Sequence, residues 1–509
     1  MNPNPIPSRA FSVSQALTVC LVLLPLPAAF AASDTWLGAT DGIWTTGTNW
    51  VGGANPGVSG AASNVSTNTD IATFNNAVNT AVSYGGSDKN LGGVNFTGAG
   101  VGAFSITSSG TNRIYFTLGG AVSMDSSVAN PQTFARVGLS GSTGSYTFEN
   151  NAVPTTAILT MGSTFSNNTT GPANLILTGS NTGLNIITGA ISQATGAGVL
   201  SITKNGSGTW LISNNTHTGG VVVNDGILGF ASSNAVGTGG TLTLNGGGVA
   251  TAGLSIRTVT NNVVVGGNFQ LGGVTSFGIN LNGTMDLGGA ARTIALANPA
   301  SIGGVISNGG LTLASGSGSR ALTLGAANTY AGATVVSSGT LLINGSLANS
   351  SSVSVSSAAT LGGDGAIANG VTVDSGAFLE PGVTPGVVGS LATGMLTLSG
   401  TYRATITGNG VNDLLTINGA ADFNGSMIVP LLSGYVPALN DAFNLADWSG
   451  SFSGTPAFDF SGAVLAPGLE WDATSFSTDG TLRVVAVPEP TVALLGSLGL
   501  LASLRRRRA

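Results

Sequence analysis

Short runs of alternating apolar and polar residues, separated by glycine and asparagine, occupy almost the whole chain. Residues 241–244 and 414–417 alternate in this way, and an Asn-Gly pair follows each of them. A period of two with many β-branched residues is typical of strands that bury one face, and Asn-Gly provides the positive φ angles that tight corners need. Between the apolar N-terminus and residue 487, no segment shows the apolar period of a helix. The pattern predicts an all-β protein.

The composition excludes several classes of protein. Of 509 residues, 80 are glycine, 42% are hydrophobic and 7% are charged; disordered chains have few apolar residues and a high net charge, so this chain is expected to fold. One histidine and one cysteine leave too few ligands for a zinc site and no disulfide. The formal net charge is −6, and residues 32–487 contain no Lys/Arg cluster, which excludes a nucleic-acid partner. No metal and no cofactor are expected.

An internal repeat suggests the architecture. Residues 211–228 match residues 324–341 at a constant offset of 113 positions, and both copies contain Asn-Thr, an aromatic ring, a Val-rich strand and Gly-x-Leu. The aromatic position is His217 in the first copy and Tyr330 in the second. Both copies resemble the autotransporter-associated β-strand repeat. This resemblance implies a right-handed parallel β-helix, that is, a solenoid.

In such a solenoid each coil bonds only to its neighbours, with glycine and asparagine at the corners. A stack of antiparallel hairpins is the alternative, because Asn-Gly pairs also form hairpin turns. The predicted organisation is an N-terminal β region and solenoid cap over residues 32–180, the β-solenoid with its repeats over 181–400, and a C-terminal β unit over 401–486. Aromatic residues concentrate in the last region, which predicts a β cap that closes the rod.

The N-terminus has the features of a secretory signal peptide, predicted over residues 1–31. Arg9 is followed by an apolar run at residues 16–26 and by small residues that form an A-x-A site, Ala29 and Ala31. We expect cleavage after Ala31. Cys20 lies inside the apolar run, so the exported chain would contain no cysteine.

The C-terminal segment, residues 487–509, combines a Pro-Glu-Pro tripeptide, an apolar stretch and four arginines. The stretch, residues 491–504, predicts a short hydrophobic helix of roughly 21 Å, and about 20 residues are needed for a comfortable membrane span. Arginines hold such an end on the cytoplasmic side. This order resembles the PEP-CTERM sorting signal of Gram-negative bacteria. The signal residues are Pro488, Glu489, Pro490, Arg505, Arg506, Arg507 and Arg508.

The resemblance implies that an exosortase-type membrane enzyme recognises the tail and cuts near the tripeptide, in cells that make exopolysaccharide. The protein would then be held in the membrane transiently, before release to the cell envelope, outer surface or extracellular matrix. An ordinary tail anchor is the alternative. No C-terminal membrane barrel follows the repeats, so the sequence departs from a self-secreting autotransporter.

Few residues suggest catalysis. His217 would have to serve as the base of any hydrolytic triad, but Tyr330 at the equivalent repeat position favours a structural role. Asp364, Asp374 and Glu380 form the densest acidic group of the repeat region, and paired carboxylates can hydrolyse glycosides. Their position near turns favours a role in backbone geometry. The Gly-Gly-Asp-Gly sequence at 362–365 is a weak calcium-turn signal. No catalytic residue is assigned.

Three tryptophans near the mature N-terminus, Trp36, Trp44 and Trp50, are candidates for stacking on sugar rings. The alternative, which we favour, is a hydrophobic lid on the first coil. The predicted function is that of an exported, non-enzymatic surface or exopolysaccharide-matrix protein with a structural or adhesive role. A polysaccharide-acting lyase or glycoside hydrolase on the same scaffold, or a carbohydrate-binding module, is the alternative.

Overall fold

The computed structural model describes Met1 and residues 33–59, 67–162, 165–193, 197–316, 320–347 and 352–488. Within these ranges the chain is nearly all β, as predicted, and it forms a parallel β-solenoid. The helices of this part of the chain are one α-helical turn, Phe476–Asp479, and a 3-10 helix, Gly47–Asn49. The predicted helix at residues 491–504 lies outside it, and no helix inside it has the length and apolarity to cross a membrane.

Each turn contributes up to three short strands, and successive turns stack strand on strand into three ladders, here called face 1, face 2 and face 3. One complete coil consists of Val263–Val265 on face 1, Phe269–Leu271 on face 2 and Ile279–Leu281 on face 3. All three strands pair in parallel with the next coil. The hairpin-stack alternative is therefore wrong.

Face 1 extends along the whole rod. Its strands are Asp34–Thr35, Ile71–Phe74, Lys89–Phe96, Ile114–Met124, Gly144–Asn150, Ala173–Thr178, Leu200–Lys204, Val221–Val223, Leu242–Leu244, Val263–Val265, Met285–Leu296, Ile306–Ser315, Ala327–Asn328, Ser346–Leu347, Ala366–Ile367, Ser390–Thr393, Leu414–Ile417 and Ala446–Trp448. Between Ile306–Ser315 and Ala327–Asn328 the ladder continues through the Thr329 N–H, which donates to the Ile306 carbonyl at 2.8 Å.

Face 2 begins with the strand that follows Ile71–Phe74 of face 1. Its strands are Ala81–Ser83, Ser105–Thr107, Gln132–Phe134, Leu159–Met161, Asn185–Ile187, Thr209–Ile212, Ile227–Phe230, Gly248–Thr251, Phe269–Leu271, the second halves of Met285–Leu296 and Ile306–Ser315, then Thr334–Val336, Val353–Val355, Val371–Val373, Leu396–Leu398, Ala421–Phe423 and Phe452–Gly454.

Face 3 completes the triangle. Its strands are the first halves of Lys89–Phe96 and Ile114–Met124, then Val137–Leu139, Phe165–Asn167, Ile191–Gln193, Arg257–Val259, Ile279–Leu281, Ala300–Ile302, Ala321–Leu324, Thr340–Ile343, Thr360–Gly363, Phe378–Pro381, Thr401–Arg403, Ser426–Ile428 and Ala457–Asp459. Two coils between Ile191–Gln193 and Arg257–Val259 cross this face without a strand. They bond through Thr216, whose N–H donates to the Ile191 carbonyl, and Thr238, whose N–H donates to the His217 carbonyl.

The core consists of inward columns in which each coil adds one apolar side chain. Successive side chains of a strand point to opposite sides of the sheet. The apolar residues of each alternating run therefore point into the rod, and the Ser, Thr and Asn residues point to its outside. One column, with each side chain at most 1% exposed, is Leu175, Ile202, Val221, Leu242, Val263, Met285 and Ile306. Burial of each such side chain stabilises the fold by about 1.5–3 kcal/mol.

The solenoid extends beyond the predicted range of 181–400 in both directions. Its ladders begin at Asp34–Thr35 and end at Ala457–Asp459. Coils ahead of residue 181 lack the repeat signature but keep the alternation, and phenylalanines fill their core. Phe74 packs on Phe96 with ring centroids 5.4 Å apart.

Antiparallel strands occur at the ends and at one bulge. The C-terminal cap is a small sheet of Ala442–Asn444, Leu469–Asp472 and Thr481–Ala486. Phe476 from the helical turn covers the last coils, with its ring 5.7 Å from Phe423. Two further antiparallel strand pairs are Val58–Ser59 with Lys89–Phe96 and Ile406–Gly408 with Val411–Asn412.

Candidate functional site

The tryptophan cluster closes the N-terminal end. Trp36, Trp44 and Trp50 are at most 1% exposed, and the ring of Trp50 lies 5.1 Å from Trp36 and 4.9 Å from Trp44. Phe74 of the first coil packs beneath them at 5.9 to 6.1 Å. The indole N–H groups donate to the backbone carbonyls of Val78, Pro56 and Trp44. No indole face is left for a sugar ring, so the burial fits the lid interpretation and not the stacking one.

His217 lies fully buried at the corner before Val221–Val223. Neither ring nitrogen has a hydrogen-bond partner among the residues that the structure describes. Burial lowers the pKa of His217 to about 4. A neutral imidazole with no exposed atom cannot reach a substrate, so the geometry fits the structural role.

Of the three acidic residues that the sequence singled out, two hold a loop in place. Residues 382–389, here called the clasped loop, leave face 3 after Phe378–Pro381 and return before Ser390–Thr393. Glu380 accepts a hydrogen bond from the Gly386 N–H at 2.8 Å, and Asp364 accepts one from the Ser390 N–H. Glu380 therefore binds a backbone donor in the middle of the loop, and Asp364 binds one directly after its end.

Asp374 has a different position. It is exposed on the turn after Val371–Val373, and its carboxylate makes no hydrogen bond within the described ranges. Nor does that part of the chain contain a group of three His, Cys, Asp or Glu side chains able to hold a metal ion. The structure thus gives no support to the paired-carboxylate or calcium interpretation of this acidic group.

Asp413 is the acidic residue that sequence reasoning missed. It is fully buried, and its two oxygens accept hydrogen bonds from the Gly389 N–H at 2.9 Å and the Thr405 N–H at 2.8 Å. Burial raises the pKa of Asp413 to about 6, aided by the charge of Glu380 and opposed by those N–H donors. With both oxygens occupied by backbone groups, Asp413 fixes the end of the clasped loop.

Arg403 completes the clasp. Its Nη1 lies 3.5 Å from Oε2 of Glu380, and its guanidinium carbon lies 4.0 Å from the centre of the Phe378 ring. These contacts follow from the register of face 3, where Arg403 is one coil beyond Glu380. Arg403 thus pairs with one of the carboxylates at the base of the loop.

Residues 202–229 and 317–343 match the passenger-associated-transport-repeat family model. These two matches coincide with the two copies seen in the sequence, so the prediction of autotransporter-associated repeats is confirmed. A comparison with curated proteins finds no match.

In both passenger-associated-transport-repeats, the asparagine of Asn-Thr connects three coils. The side-chain oxygen of Asn215 accepts the Ile191 N–H at 3.0 Å, and its amide donates to the Ala235 carbonyl at 2.6 Å. In the second repeat the Asn328 oxygen accepts the Ile306 N–H at 3.0 Å. Its amide donates forward to Ser346 at 3.3 Å. Both asparagines are 1% exposed. Through these hydrogen bonds each asparagine links the preceding coil to the following coil, a role here called the staple role.

The first repeat also buries a lysine. The Lys204 ammonium donates to the carbonyls of Asn205 and Asp225 at 2.8 and 3.0 Å, and also to Gly206. Burial lowers the pKa of Lys204 to about 8, against the favourable charge of Asp225. The ammonium gathers the carbonyl groups of a tight corner, which is a structural function.

Of the predicted sorting residues, the structure describes Pro488 alone. Pro488 is exposed at the end of the described chain. The remaining predicted signal residues, together with the signal-peptide residues Ala29 and Ala31, lie outside the described ranges; they are Glu489, Pro490, Arg505, Arg506, Arg507 and Arg508.

Proposed function

We propose that the protein is exported and works as a non-enzymatic structural or adhesive component of the cell surface or exopolysaccharide matrix. The observation that carries this proposal is the parallel solenoid whose described ladders run from Asp34 to Asp459, and which includes two passenger-associated-transport-repeats. A stacked rod presents the same kind of outward Ser, Thr and Asn side chains coil after coil. Many weak contacts of this kind add up through multivalency.

The acidic residues support the same conclusion. Glu380 and Asp413 direct carboxylate oxygens at backbone N–H groups, and Arg403 neutralises Glu380. Their chemistry is thus used to shape a loop. We expect no new reducing or unsaturated ends when the protein is incubated with neutral and acidic polysaccharides. Turnover that disappears in Glu380→Gln or Asp374→Asn variants would favour the enzyme alternative.

We further propose delivery by an exosortase-type system, supported by the sequence of residues 487–509. In the native cell, the mature wild-type protein is expected to begin at Ala32, to end near the tripeptide and to be found with the matrix. Alanine at Pro488, Glu489 and Pro490 together should leave the tail attached and the protein in the membrane fraction. The control is Val487→Ala, which alters the neighbouring exposed residue. Loss of the tail from all three proteins, with the same location for each, would contradict the sorting proposal.

A further inference from the structure

A groove of about 440 Å³ follows face 3 along the rod axis. It crosses five coils and ends against the clasped loop, and none of its lining residues is charged. The lining consists of Ile256, Ser276, Phe277, Gly278, Asn280, Pro299, Ala300, Ser301, Ala321, Thr323, Leu342, Thr384 and Pro385.

The floor of the groove contains one polar column in strict register. Asn280 pairs with Ser301, and Ser301 pairs with Thr323, so the three outward side chains follow one another at the coil spacing of about 4.8 Å. All three are half-buried. Within the described ranges none of these side chains makes a hydrogen bond, so their donors and acceptors are unused by the fold.

The same residue types are paired with each other elsewhere on the rod. On face 1 the Asn174 oxygen accepts hydrogen bonds from the hydroxyls of Ser201 at 3.2 Å and Thr203 at 3.0 Å. At a corner, the Asn224 amide donates to the Asn205 oxygen at 2.8 Å. Those asparagines form hydrogen bonds with the polar side chains next to them. The donors and acceptors of Asn280, Ser301 and Thr323 are instead open to a ligand.

Apolar side chains border the column. Ile256 is 56% exposed, Phe277 is half-buried, and Pro299 and Pro385 complete the borders. Pro385 belongs to the clasped loop, which Glu380, Asp364 and Asp413 hold against the end of the groove. Flat apolar borders around a line of hydrogen-bonding groups match a chain of sugar rings, which have apolar C–H faces and hydroxyls at their edges.

We propose that this groove binds a neutral polysaccharide chain lying along the rod axis. The proposal rests on the proposed matrix function and names its site and ligand class. Sugar hydroxyls donate and accept hydrogen bonds, as do the amide and hydroxyl groups of Asn280, Ser301 and Thr323. The groove offers no cation to an acidic polymer, and further along the same face Arg403 is paired with Glu380.

Affinity electrophoresis of the full-length protein tests the proposal. The gels contain glucomannan or dextran as neutral probes, or polygalacturonate as an acidic one. The test variant combines Asn280→Ala, Ser301→Ala and Thr323→Val. The control combines Ser354→Ala, Thr372→Val and Thr397→Val, a matched polar column in register on face 2 that lies in no such groove. Thermal unfolding checks that each variant is folded, and Ser301→Ala alone replaces the triple variant if that fails to fold.

The wild type and the control are expected to be retarded by a neutral polymer, and the test variant to bind it at least tenfold more weakly. Equal retardation of the test variant, retardation by polygalacturonate alone, or no retardation by either neutral polymer would each overturn the groove proposal. The proposed matrix function is judged separately by location in the native cell, so the two failures are distinguishable.

Discussion

His217 is neutral in the folded protein because burial lowers its pKa to about 4, whereas a free histidine titrates near 6.5. Below about pH 6.5 the unfolded chain therefore binds a proton that the folded chain excludes. Asp413 acts in the opposite sense, because its raised folded pKa of about 6 adds stability as the pH falls through that value. The contribution of His217 to the pH dependence of stability is therefore measured by comparing the wild type with a variant that lacks this histidine.

We predict that the free energy of unfolding of the wild type, relative to a His217→Phe variant, falls as the pH is lowered from 7 to 4. The difference should be at most about 3 kcal/mol, because each unit of pKa shift corresponds to about 1.4 kcal/mol. Urea denaturation of both proteins across this range measures it. A difference that is independent of pH would show that His217 is accessible to protons in the folded state.

The repeat asparagines give a second prediction at this scale. Asn328→Ala should lower the free energy of unfolding by about 1–3 kcal/mol, because the Ile306 N–H loses its side-chain acceptor inside the rod. Asn224→Ala is the control, because its ladder with Asn205 and Asn245 is exposed, and we expect it to stay within about 0.5 kcal/mol. Urea midpoints of the two variants decide the comparison. Equal effects would refute the staple role.

At the scale of elements, the clasped loop depends on buried carboxylates from neighbouring coils. Replacement of Asp413 by alanine leaves the N–H groups of Gly389 and Thr405 without acceptors. We predict that residues 382–390 then exchange amide hydrogens at least tenfold faster, as measured by mass spectrometry. Asp374→Ala removes an exposed carboxylate with no such bond and should leave the exchange unchanged. Unchanged exchange in the Asp413 variant would show that the loop is held by other contacts.

The two repeats occupy different faces of the rod. Val221–Val223 of the first repeat lies on face 1, while the matching strand of the second, Thr334–Val336, lies on face 2. The repeat therefore specifies a corner and its two strands, and it occurs at two different corners of the triangle. The surroundings of the aromatic repeat position also differ between the two copies. The Tyr330 hydroxyl hydrogen-bonds the Thr334 hydroxyl at 2.7 Å, whereas in the first repeat, where His217 replaces the tyrosine, the residue equivalent to Thr334 is Val221.

The alternation was sufficient to predict an all-β chain because it is local in sequence, whereas the parallel coils came from the resemblance of the repeat and the hairpin stack stayed open until the strand pairing was known. The extent of the solenoid was not predictable from the repeat, since coils such as Gly144–Asn150 keep only the alternation. Asp413 escaped notice because its partner Gly389 comes from the preceding coil, 24 residues away. The groove column of Asn280, Ser301 and Thr323 depends on coil lengths, which no local pattern gives. The three tryptophans were predicted either to cover the first coil or to stack on sugar rings, and their burial favours the first interpretation.

At the scale of the whole molecule, the rod is closed at both ends. The tryptophan cluster covers the first coil, and the antiparallel cap with Phe476 covers the last coils. Unprotected strand edges at these ends would pair with other chains. The 17 stacked strands of face 2, at a spacing of about 4.8 Å, span roughly 77 Å. Such a rod offers its faces, rather than a deep cavity, to partners.

The central claim is that coils stack linearly, each pairing its strands with those of the next coil. One column of face 2 allows a direct test, because Thr397, Asp422 and Ser453 follow Thr312 in register at increasing distance. Spin labels on paired cysteines, introduced with Cys20→Ser, report the distances by double electron–electron resonance. We predict separations from Thr312 of roughly 19, 24 and 29 Å, one coil spacing apart. Separations that do not grow by one spacing per coil would contradict the account.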